Sequence, residues 1–129
     1  MALTSSDRQQ IQQSINAYCH IVDYGEPEAV RALFTDDMVF AVPASGQVFK
    51  GIDAFIKVLA ARRERRDGMR HLIVNTVISE HESAVTSSAY LQLIRVERGV
   101  PQLAKLARYV DEWTCHSGQW RIHSRRMEE

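Results

Sequence analysis

The chain is poor in anything that would staple, anchor or charge it. It has two cysteines in 129 residues, Cys19 and Cys115, far apart and without a metal-type spacing. A disulfide framework and a cysteine metal site are therefore both unsupported, and two free thiols in a reducing cytoplasm are expected. Three prolines and six glycines leave no room for a repeat, a low-complexity tract or a linker. The longest apolar run is five residues, Met38 to Val42, far too short to span a membrane. Charge of one sign is missing too: sixteen Lys and Arg balance sixteen Asp and Glu. A general nucleic-acid binder needs a net basic face, so nucleic acid is not expected as a partner. The start, Met-Ala-Leu-Thr-Ser-Ser-Asp, has neither the basic residues nor the apolar stretch of a secretory leader, from which a cytoplasmic location is expected.

What is present is an ordinary globular composition, 45% apolar and 25% charged, at the length of one domain, residues 1–129. Ser5, Ser6 and Asp7 offer caps for a first helix, whose stripe is Ile11, Ile15, Cys19 and Val22. After Gly25 and Glu26, Pro27 suits the first turn of a second helix ending at Thr35-Asp36-Asp37. Met38–Val42 and Gln47–Lys50 read as short strands. A third helix starts at Gly51, buries Ile52, Phe55, Ile56 and Leu59, and closes on Arg62, Arg63, Arg65 and Arg66. Cations there oppose the negative end of the helix dipole; an anion-binding patch is the functional alternative. Four long strands follow, over 70–79, 84–98, 102–116 and 119–126. Helices on one side of an antiparallel sheet define an α+β domain.

The 70–79 strand is apolar on both faces. His71, Ile73, Asn75 and Val77 alternate with Leu72, Val74, Thr76 and Ile78. One face packs under the helices; a second copy of the sheet is the simplest cover for the other, so a homodimer through the sheet faces is expected.

On the helix-facing side, His71 and Asn75 are polar residues among apolar ones. They are either satisfied core groups or parts of a site. Asp23 stands at the C-terminal end of the first helix, where the dipole disfavours a carboxylate. It either caps a turn or faces a cavity and holds a histidine, fixing the tautomer and stabilising the protonated ring. Tyr18, five residues earlier and about 140° round the helix, can bring a phenol to the same place. His20, His81, His116 and His123 share no ligand spacing, so no metal is expected. Cys19 belongs to the apolar stripe. Asp111 is expected to pair with Arg121 or Arg125 on the next strand.

Tyr18-x4-Asp23, Leu33-Phe34-x2-Asp37, Gly51-x3-Phe55-Ile56 and Arg70-His71-x3-Asn75 fall in order, followed by Arg108-Tyr109-x-Asp111 and Trp120-x-Ile122-x2-Arg125. Together they resemble the SnoaL-like branch of the NTF2-like superfamily over nearly the whole chain. The resemblance implies a cone-shaped barrel: three N-terminal helices packed on a strongly curved, mixed, mainly antiparallel sheet around a deep pocket. Dehydratases, a dehydrochlorinase, polyketide cyclases and ketosteroid isomerase share that fold. The dehydratase and dehydrochlorinase members use an Asp–His pair with histidine as base, which Asp23 and His71 match by element and by their separation of 48 residues. Tyr18 matches a tyrosine of one of the dehydratases, which acts on bile acids, and Arg125 is the nearest match to a pocket arginine there. Asn75 falls where relatives carry a polar pocket residue.

The expected function is cofactor-independent lyase or isomerase chemistry on a small, mostly apolar substrate. His71 takes a proton from carbon, Asp23 orients it, and Tyr18 with Asn75 or Arg125 binds the oxygen that gains charge. Val22, Phe40, Phe55 and Ile73 are the expected substrate-binding walls, with Ile15, Phe34, Leu59 and Val77 beside them. A non-catalytic pocket for a hydrophobic ligand and a small subunit of a larger enzyme are the alternatives; both keep the fold and need no base.

Overall fold

The computed structural model describes residues 2–129. Helix α1 (Ser5–Tyr24) opens the chain. Its cap is Thr4, one residue ahead of the expected serines: Thr4 Oγ1 accepts from the Asp7 N–H at 3.0 Å, and Asp7 Oδ2 accepts from the Thr4 N–H at 2.9 Å. This reciprocal box satisfies two helix-end donors. Asp7 Oδ1 also accepts from the Trp120 indole at 3.0 Å, tying the start of α1 to the last strand. The buried stripe is Ile11, Ile15, Tyr18, Val22 and Asp23.

The second expected helix is a single 3₁₀ stretch, Pro27–Ala32. Leu33 ends it, and Phe34 already begins strand β1 (Phe34–Val42). Thr35-Asp36-Asp37 thus lies inside a strand rather than closing a helix, because Phe34 and Met38 are both needed in the core. Strand β2 (Gln47–Lys50) returns beside β1. Helix α2 (Ile52–Ala61) and a 3₁₀ turn (Arg63–Arg65) complete the helical layer. The three N-terminal helices of the sequence are thus two α-helices and a 3₁₀ stretch, with α2 lying after the first hairpin.

Strands β3 (Met69–His81), β4 (Ala84–Glu97), β5 (Val100–His116) and β6 (Gln119–Glu128) form a meander. The sheet has six strands in the order β2-β1-β6-β5-β4-β3. Among the described residues only the β1–β6 pair is parallel, so the sheet is mixed and mainly antiparallel. Arg98 and Gly99 make the β4–β5 turn with φ of 51° and 75°, the left-handed pair that matches strand twist in a two-residue hairpin. Gly68, before β3, has φ of 78°; a Cβ there would stand 2.7 Å from the Val96 carbonyl oxygen.

Extra residues interrupt the ladders at Val74/Val77, Leu93/Ile94 and Glu112/Trp113. Such bulges bend strands and increase local twist. The first one corrects the alternation expected for β3. Val74 pairs with Tyr90 and Val77 with Ser88, so one residue is inserted, and Asn75 takes φ of 57°. Beyond it the faces exchange: Val77 is 61% exposed while Ile78 packs on the core.

Candidate functional site

A cavity of about 540 Å³ lies between the helices and the inner face of the sheet. Tyr18 and Val22 reach it from α1, Phe55 and Leu59 from α2, Phe40 and Phe49 from the first hairpin. Across the sheet it is floored by His71 on β3, Leu91 and Leu93 on β4, Tyr109 on β5 and Met127 on β6. Its size and mainly apolar wall suit a small organic molecule.

Asp23 and His71 meet. Asp23 Oδ1 lies 2.7 Å from His71 Nδ1, and Oδ2 accepts the His71 backbone N–H at 2.9 Å. The Asp23 side chain is 6% exposed and the imidazole 21%. A carboxylate only accepts, so Nδ1 carries the hydrogen of the neutral ring and Nε2 keeps its lone pair. His71 lines the cavity, and Nε2 is its unengaged nitrogen. Asp23 sits one residue from the end of α1, and these two hydrogen bonds compensate a carboxylate that the helix dipole disfavours.

Tyr18 stands edge-on to the imidazole, ring centroids 6.3 Å apart at 87°. A second phenol, Tyr109, is 6.2 Å from Tyr18 at 89°. Tyr109 carried no expected role in the site; its signal in the sequence is the alternation Ala107, Tyr109, Asp111 on the inward face of β5. Burial pushes both phenols above their ordinary values, Tyr109 strongly, while the nearby Arg125 cation opposes the rise. Both therefore stay protonated donors.

Arg125 is not a wall residue. It is 1% exposed and lies behind the lining, bidentate to Asp111 at 2.7 and 2.9 Å. Its guanidinium is 4.0 Å from the Tyr109 ring centre and 4.5 Å from that of Tyr18. Burial works against this cation, but the attraction and hydrogen bonds of Asp111 prevail and hold it above its ordinary value. The expected Asp111 pairing is thus with Arg125. Arg125 stacks on both phenol rings from behind and is not among the residues lining the cavity, where the expected substrate contact would place it.

Two further expectations are corrected. Asn75 is exposed on the bulge, turned from the cavity by the left-handed backbone it adopts. Ile73 is half-buried against the core and does not line the cavity, nor do Ile15, Phe34 or Val77. Val22, Phe40, Phe55 and Leu59 line it as expected. Cys19 is half-buried in α1, its thiol pushed up by burial and then by the Asp23 charge, as for an unreactive core group. Among the described residues no cluster of His, Cys, Asp or Glu could hold a metal ion, and no helix is long and apolar enough to cross a membrane.

A six-stranded mixed sheet closed over a helix-capped cavity is the cystatin-like α+β architecture. An NTF2-like protein with a cystatin-like fold from Novosphingobium aromaticivorans superposes with a TM-score of 0.85 at 21% identity, covering 95% of this chain and 80% of that one. Aln2 from a Streptomyces species gives 0.85 at 22%, covering 100% and 94%. A Catenulispora acidiphila protein in complex with S-DNPA gives 0.79 at 22%, covering 96% and 95%. The SnoaL-like domain profile matches residues 4–126, and the chain belongs to that family. No curated protein matches it.

Proposed function

We propose that the chain is a cofactor-independent lyase or isomerase of the dehydratase, β-elimination or cyclase type. The observation that carries this is the Asp23–His71 pair, with Nδ1 held by the carboxylate and His71 lining the cavity beside apolar side chains. Nε2 removes a proton from a carbon made acidic by a neighbouring carbonyl or opposite a leaving group. Asp23 keeps the tautomer and stabilises the imidazolium that forms. Tyr18 and Tyr109 donate to the oxygen that gains charge or departs, with Arg125 behind them favouring donation. The Catenulispora acidiphila neighbour, in complex with S-DNPA, supports ligand occupancy of such a fold. The test is turnover of a panel of β-hydroxy carbonyl and β-keto compounds. His71→Gln should lower it by about 10²–10⁴-fold while leaving the fold and ligand affinity intact; unchanged turnover in that variant rejects the proposal.

The outer face of the sheet supports a homodimer. Leu72 is 41% exposed, Tyr90 51% and Leu106 59%, on three adjacent strands and on the face opposite His71. A second copy of this face is the proposed cover. The free thiols of Cys19 and Cys115 support a cytoplasmic location.

A further inference from the structure

The whole chain carries no net charge, yet its cavity does not share that balance. Five cations, Arg62, Arg65, Arg66, Arg95 and Lys105, line it against one acidic residue, Glu129. Lys105 and Glu129 pair at 3.1 Å, and Arg66 donates to the Gly25 carbonyl at 2.7 Å. Among the described residues, Arg62, Arg65 and Arg95 have no ion-pair partner. The dipole of α2 accounts for arginines that follow its C-terminus. It does not account for Arg95 and Lys105, which come from β4 and β5.

The sheet register places these charges relative to the base. His71 pairs with Leu93, and Leu93 with Lys105, so Lys105 lies two strands from His71 in the same row. Arg95 is two residues along β4 from Leu93, level with Met69 at the start of β3. Adjacent strands are about 4.8 Å apart, which puts the Lys105 backbone roughly 10 Å from that of His71. Buried Asp23, half-buried His71 and the buried phenols form the inner part of the site, and the exposed arginines form its rim.

We propose that the substrate is an amphiphile with an oxyanion, a carboxylate or phosphate, at one end. That group rests among Arg62, Arg65, Arg95 and Lys105 while the apolar body carries the acidic C–H to Nε2 of His71. The proposal rests on the catalytic assignment for its orientation, but the preference for an anion stands on the rim alone. It makes the arginine run after α2 part of the site rather than only a helix terminus. A rim that holds a charge already solvated in the free ligand positions the reacting carbon without adding polar groups near the base.

The test uses the intact protein and two fluorescent probes of the same aromatic body. One is 8-anilino-1-naphthalenesulfonate and the other is neutral N-phenyl-1-naphthylamine. The anion should bind about tenfold tighter, and the combined Arg62→Gln, Arg65→Gln and Arg95→Gln variant should remove that advantage. Removing three exposed cations elsewhere, Arg8, Arg98 and Arg108 to Gln, should leave it in place. Decanoate and decyl phosphate should displace the probe well below the concentration of decanol required, the stronger of the two naming the group. Equal binding of both probes, equal displacement by decanol, or a preference untouched by the rim variant overturns the proposal. The titration needs no turnover: His71→Gln should keep the anion preference, so a failed base and a failed rim give different results.

Discussion

Asp23 grips His71 at two points, the backbone N–H and ring Nδ1, and so fixes both where the imidazole stands and which nitrogen is bare. Asp23→Asn replaces one acceptor oxygen by a donor and should cost turnover without emptying the cavity; an unchanged kcat would show the carboxylate to be structural. Loss of the His71 base should cost about 10²–10⁴-fold. Tyr18→Phe and Tyr109→Phe should each lower kcat, by about 10²-fold for a donor aimed at the developing charge, with KM little moved. A change confined to KM would assign that phenol to ground-state binding. Arg125→Met should destabilise the fold by about 3–5 kcal/mol in urea unfolding, because Asp111 is left charged and buried. Much of this was legible in the residues: a carboxylate at the wrong end of a helix and a histidine on an apolar strand face were both anomalies. Arg125 was not, since sequence shows that an arginine is inward but not whether it reaches the lining or stops behind it.

At the scale of elements, the bulge in β3 decides which residues see the cavity. Periodicity assumes an unbroken strand, and one inserted residue exchanges every side chain beyond it; this is why Asn75 and Val77 were assigned to the wrong face. The left-handed φ of Asn75 gives a test. Asn75→Gly should fold at least as stably, whereas Asn75→Val should lose about 1–2 kcal/mol in thermal or urea unfolding. Equal stability of the two would mean that the bulge does not depend on this residue. Ile11, Ile15 and Val22 of the α1 stripe and the succession of strands along the chain were readable from their periods, but a six-residue 3₁₀ stretch has too few turns to be told from a helix. The link between α1 and β6 is also electrostatic. The Asp7 carboxyl is held below its ordinary value, chiefly by the Thr4 backbone N–H, then by the Trp120 indole and the Thr4 hydroxyl. A lowered folded pKa contributes stability that is complete above the unfolded value and is lost as pH falls through the folded one. Asp7→Ala should therefore lower Tm at neutral pH, and the gap from wild type should close in acid. A gap independent of pH would place the effect in packing instead.

For the whole molecule, element order was enough to anticipate an α+β domain with helices on one face of the sheet, and the quoted residue pairs were enough to anticipate the family. Net charge concealed the most useful feature: a sum of zero says nothing about five cations gathered round one opening. The outer sheet face makes its own prediction. Leu106→Glu with Tyr90→Glu should convert a dimer to a monomer in sedimentation velocity, leaving the inner cavity and its base unaffected. A monomeric wild type at high concentration would remove the dimer from the account.

The central claim is that a carboxylate-held imidazole offers its free nitrogen to the cavity. Long-range ¹H–¹⁵N correlation of the His71 ring, at a pH where the ring is neutral, tests it without knowledge of the substrate. Expected are a protonated Nδ1, a bare Nε2 that shifts when the cavity is filled with 8-anilino-1-naphthalenesulfonate, and loss of this single tautomer in Asp23→Asn. A protonated Nε2, or a ring indifferent to the ligand, would contradict it.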